Sequence, residues 1–139
     1  MRAIRLSALL LFAVAGASLA QGRWRLISVD AEGNSWFIDG ETLRKSHTTV
    51  AFWAKVVLST SRMDTTFGVI RPFNEQLVRY RADCSGETLT PMNVIRRDAA
   101  GGQVYRGDIA LPAESPEPGT MHEEVLRFVC ARPKGRQER

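Results

Sequence analysis

Along much of the chain, apolar and polar residues alternate with a period of two, which is the signature of strands with one buried face. The clearest run is Thr48 to Leu58. Val50, Phe52, Ala54, Val56 and Leu58 fall on one side, with Trp53 and Lys55 on the other, so this run predicts a central strand. Gln76 to Cys84 repeats the pattern, with Val78, Tyr80, Ala82 and Cys84 directed inward and Arg79, Arg81 and Asp83 outward. Near the start, Trp24 and Leu26 oppose Arg25 and Ile27. Asp30 to Asn34 then supplies turn residues before a return strand at Ser35 to Asp39. Gly40 to His47 reads as a polar connector with room for one helical turn, and Ser59 to Asp64 reads as a loop by composition. Gly68 and Pro72 interrupt any regular element between Thr65 and Pro72. In the strand predicted from Glu87 to Arg97, Pro91 cannot donate to a ladder and so marks an edge or a bulge. Asp98 to Gly102 is a hairpin turn into a strand from Gln103 to Leu111. Pro112, Pro116, Pro118 and Gly119 then exclude regular structure.

The period changes after Gly119. Thr120-Met121-His122-Glu123 has the form of a capping box, and Met121, Val125, Phe128 and Val129 share one face of the helix it opens, which ends near Cys130. The fold class that follows is α+β: an antiparallel sheet of about six strands with a C-terminal helix packed on it.

The first residues obey a different rule. Arg2 and Arg5 precede an apolar run from Leu6 to Ala17, and Ser18-Leu19-Ala20 closes it with small residues at the cleavage spacing. This order predicts a secretory signal at residues 1–20, too short to be a membrane span of roughly 20 apolar residues. No later stretch is apolar for that long, so the mature chain is expected to have no transmembrane segment. Residues 21–131 then form one domain, and 132–139 a basic tail. The formal charge of +4 resides largely in the signal and the tail, leaving the folded body near neutral, which argues against nucleic acid as a partner.

Export bears on the two cysteines, Cys84 and Cys130. In an oxidising compartment with no third thiol, they are expected to pair with each other, a free thiol or an intermolecular bridge being the alternatives. Neither lies in a CxxC motif. The two histidines, His47 and His122, belong to no metal-ligand spacing, so no metal, cofactor or catalytic constellation is predicted. Asp39 and Glu41 could form a carboxylate pair, but Asp39-Gly40 is first a turn signal. Arg106-Gly107-Asp108 spells a cell-attachment tripeptide, placed here in a strand or at its end. A sheet with one helix cannot cover both its faces, which makes Trp36 and Trp53 the candidate partner surface.

The aromatic and cysteine series is similar to the surface-adhesin protein E family. The features are Trp24 in the first strand, Trp36-Phe37-Ile38-Asp39, the Val50 to Trp53 strand, Tyr80-Arg81-Ala82-Asp83-Cys84, and Leu126 to Cys130. The resemblance runs over most of Arg23 to Ala131. It implies an exported, non-enzymatic binding module that attaches to host or envelope macromolecules through a protein or matrix partner. A periplasmic inhibitor, with Ser59 to Pro72 as its loop, or a small envelope enzyme is the alternative. No cysteine stands at the cleavage site to take a lipid anchor, so a periplasmic and a cell-surface location are both expected.

Overall fold

A computed structural model describes residues 23–66, 68 and 70–131, and within them the alternation becomes a seven-stranded antiparallel sheet with one helix. The signal and the basic tail lie outside the described residues. In chain order the elements are β1 (Trp24–Val29), β2 (Ser35–Asp39), β3 (Arg44–Ser46), β4 (Thr49–Asp64), β5 (Arg71–Asp83), β6 (Thr88–Arg97), β7 (Gln103–Asp108) and α1 (Met121–Cys130). The sheet order is β1-β2-β4-β5-β6-β7. β3 pairs with residues 49–51 of β4, while β2 pairs with residues 54–57 of that strand.

The core lies between the sheet and α1. Phe52, Ala54, Val78, Tyr80 and Ala82 from the two longest strands, β4 and β5, meet Val125, Leu126 and Val129 of the helix. Phe52 and Tyr80 face each other across the β4–β5 ladder with their rings stacked at 5.7 Å. Cys84 follows β5 and Cys130 is the last residue of α1; they form a disulfide with Cα atoms 5.5 Å apart, so the helix is covalently tied to the strand whose inward face it covers.

Several local expectations are corrected. The segment 59–64, read as a loop, continues β4 and pairs with the start of β5 as a projecting hairpin arm, after a register shift between Val57 and Arg62. The connector 40–47 holds no helical turn; it forms a turn and the short strand β3, and His47 occupies the left-handed region at φ 52° where β3 turns into β4. In β1 a shift between Leu26 and Ser28 places Ser28 opposite Trp36, and Ile27 packs against the core. Of the two alternatives for Pro91 the bulge holds, because Tyr80 pairs with Pro91 while Arg79 pairs with Asn93, which leaves Met92 out of the β5–β6 register. The helix buries Val125 and Val129 as the period predicts and Leu126 with them, but leaves Phe128 exposed. Thr120 Oγ1 accepts from the Glu123 amide at 3.3 Å, but the Glu123 carboxylate reaches the Gly119 amide one residue further back, at 2.7 Å.

Candidate functional site

Helix α1 covers only part of its side of the sheet. Beyond it two adjoining hollows of about 310 and 290 Å³ share Gln76, Val78, Tyr80 and His122. β2 contributes Trp36, which is half-buried on this side because it stands opposite Val56, a core-facing residue of β4. The Trp36 ring meets His122 edge-on at 5.6 Å, and the Tyr80 hydroxyl is 3.4 Å from His122 Nε2. Three separate elements thus bring three aromatic rings into one cleft.

Asp30, Asp64 and Arg96 around this cleft are already held by hydrogen bonds within the fold. The Asp30 carboxylate accepts from the Trp36 indole at 3.0 Å and from the Asn34 and Glu32 amides, and the indole hydrogen bond is the main reason its carboxyl titrates below the ordinary value. Arg96 donates to Asp64 at 2.6 Å and to Gln76 at 3.0 Å while lying over the Phe73 and Tyr105 rings, and it holds the Asp64 carboxyl low. Burial pushes the Tyr80 phenol up to about 12, so it stays neutral at physiological pH. Burial also lowers His122, against an opposing pull from Glu114. The cleft thus sets the Trp36, Tyr80 and His122 rings side by side, with Asp30 and Asp64 held by hydrogen bonds within the fold.

Trp53 lies on the other face. It stands opposite Arg79, three residues along β4 from Val56, so Trp36 and Trp53 point to opposite sides of the sheet and do not form one surface. Among the described residues no helix packs on this open face. Lys55, Leu77, Ile95 and Arg106 follow one another across β4, β5, β6 and β7, and Leu77 and Ile95 are nonetheless buried. The side chains beside them in the register, Lys55, Arg79, Arg97 and Arg106, have aliphatic stems long enough to cover them.

The remaining sequence candidates have structural roles. Asp39 is fully buried and accepts hydrogen bonds from Arg23, Thr42 and the Glu41 amide; burial alone would raise its carboxyl, but these bonds outweigh it and hold the value low. Asp39 and Glu41 are therefore bridged by Arg23, not arranged as an acid-base pair. Arg106-Gly107-Asp108 is part of β7, and Asp108 accepts from the Asn93 amide on β6. His122 was legible only as a residue of the helix start and Tyr80 only as a core residue. Their meeting depends on a pairing between β5 and α1 for which the sequence carries no local signal.

A family model described as surface-adhesin protein E matches residues 24–131. The chain belongs to the surface-adhesin protein E family. Its fold is also that of Haemophilus influenzae protein E. Crystal form II of that protein aligns with a TM-score of 0.57 and 20% identity over 76% of this chain and 86% of that one. A second structure of the same protein gives 0.57 and 19% over 79% and 85%, and protein E from non-typeable Haemophilus influenzae gives 0.56 and 18% over 84% and 81%. At this identity the likeness speaks to the fold. No curated protein matches the chain. Surface-adhesin protein E membership supports an adhesin-like role, an exported protein and a protein or matrix partner. Among the described residues no helix is long and apolar enough to cross a membrane.

Proposed function

We propose that the chain is an exported, non-enzymatic binding module that attaches to a host or envelope macromolecule. The observation that carries this reading is the family match, which spans every strand and the helix. The chemistry of the helix-side cleft supports it, since Trp36, Tyr80 and His122 present rings while Asp30 and Asp64 are occupied by hydrogen bonds inside the fold. Such a surface works by burying aromatic anchors against a complementary patch. Trp36 and Trp53 are the anchors to test, one on each face.

The test is retention of purified host matrix proteins and of envelope extract on the immobilised mature domain at micromolar protein. Wild type retains a macromolecule, and Trp36→Ala or Trp53→Ala weakens retention by about tenfold or more, the cost of truncating a binding hot spot. Failure to retain any partner, or retention by both variants as strong as that of wild type, refutes the reading.

A further inference from the structure

The register of the sheet sorts its open face into two zones. At the β1–β2–β4 side, Val29, Ser35 and Val57 form one cross-strand row, and Leu26, Phe37 and Lys55 the next. Leu26, Val29 and Val57 are 56%, 53% and 37% exposed, an unusual grouping of aliphatic side chains in contact with water. Trp24 borders them, and the Lys55 ammonium sits 4.7 Å from its ring centre and 5.0 Å from that of Phe37. Toward β5 and β7 the same face carries Arg79, Arg81 and Arg106, all exposed, beside Asp83 and Asp108, while Arg97 is paired with Glu75; with Lys55 the cations are in excess. The opposite side of the domain carries Glu32, Glu114, Glu123 and Glu124, of which Glu32 and Glu123 are paired with Arg62 and Arg127 and Glu114 and Glu124 are left in excess. A body that is almost neutral as a whole is therefore polarised across the sheet.

We propose that the open sheet face docks on an anionic lipid surface. Arginines and a lysine would meet lipid phosphates, while Leu26, Val29 and Val57 enter the headgroup region beside Trp24, whose ring favours the interface. A polysaccharide or a nucleic acid would satisfy the cations but leave the aliphatic row in water, so charge and apolar exposure together select a lipid surface. The acidic side is repelled by the same field. The cleft holding Trp36 then faces away from the lipid, free for a macromolecular partner. This inference goes beyond the binding-module reading, and either can fail alone: vesicles can be bound with no protein retained, and a protein retained with no vesicle bound.

The test uses the mature full chain with vesicles of equal parts phosphatidylglycerol and phosphatidylcholine, some carrying brominated acyl chains. The tryptophans report orientation. Trp36→Phe leaves both remaining indoles on the open face, and the Trp24→Phe/Trp53→Phe double variant leaves only the helix-side indole. The expected result is blue-shifted, bromine-quenched emission from the first and unchanged emission from the second. Arg79→Thr/Arg81→Thr weakens partitioning about 30-fold, about fivefold for each cation removed. Leu26→Ser/Val29→Ser, at the sheet edge, weakens it without changing charge, and circular dichroism establishes that each variant is folded. Substituting Arg132, Lys134, Arg136 and Arg139 by Ser leaves the quenching pattern in place. Equal quenching of Trp36, equal binding to pure phosphatidylcholine, or loss of binding in the tail variant alone overturns the proposal. So does retention on heparin or single-stranded DNA at a salt concentration that releases the vesicles.

Discussion

Removing the Cys84–Cys130 bond should cost a large share of the stability of the domain. The two residues are separated by 46 positions, and the loop they close contains β6, β7, the connector and α1. On the chain-entropy model, closing a loop of this length disfavours the unfolded state by about 4 kcal/mol, against about 5 to 15 kcal/mol for a typical domain. Both cysteines are half-buried, so Cys84→Ala/Cys130→Ala removes little packing besides the crosslink. In urea, with a slope of about 2 kcal/mol per molar, the midpoint should fall by about 2 M, and the slope itself should rise because the released chain unfolds to expose more surface. Reduced wild type should coincide with the double variant, which separates the crosslink from the side chains. A midpoint shift below about 0.5 M, or about 1 kcal/mol, in both would refute the reasoning. Hydrogen exchange should show the global loss in the core amides of β4 and β5, which exchange through full unfolding, and at least as great a loss in α1, which the bond also ties locally to the end of β5.

Other outcomes follow from single contacts. Phe52 is 1% exposed and stacked on Tyr80, so Phe52→Ala should destabilise by about 3 to 5 kcal/mol in chemical denaturation. Thr120→Ala removes the acceptor for the Glu123 amide and should cost about 1 kcal/mol, read as a lowered thermal midpoint. Asp30, Asp39 and Asp64 all titrate below the ordinary carboxylate value in the folded protein. Between the folded and unfolded values the unfolded chain binds more protons, so this stability is complete above about pH 5 and is lost as pH falls through the lowered folded values. Acid titration followed by circular dichroism should show that limb, and Asp64→Asn should flatten it; an unchanged limb would rule out the assignment.

The strands that face the core on one side were readable because burial imposes alternation, as at Val50 to Val56 and Val78 to Ala82. The end of β4 was not. Residues 59–63 are exposed on both faces of a projecting arm, so no apolar rhythm marks them, and pairing such as Arg62 with Phe73 is what makes them a strand. The cleft was invisible for another reason: Trp36, Tyr80 and His122 are distant in sequence and are joined only by sheet register and helix docking. Charge was misleading in the same way. A nearly neutral body conceals a face with Arg79, Arg81 and Arg106 on adjacent parts of one surface, which only the register shows.

The bond between Arg23 and Asp39 has a bearing on how the protein is made. Asp39 is fully enclosed, and Arg23 is the residue immediately before β1. A protease that cuts anywhere upstream of Arg23 leaves the buried carboxylate with its cation. A cut one peptide bond further along would strand that carboxylate without its cation, with Thr42 and the Glu41 amide alone to hold it. The fold thus sets its own limit on how far the amino terminus can be trimmed, and the predicted cleavage after Ala20 stops short of it by a narrow margin.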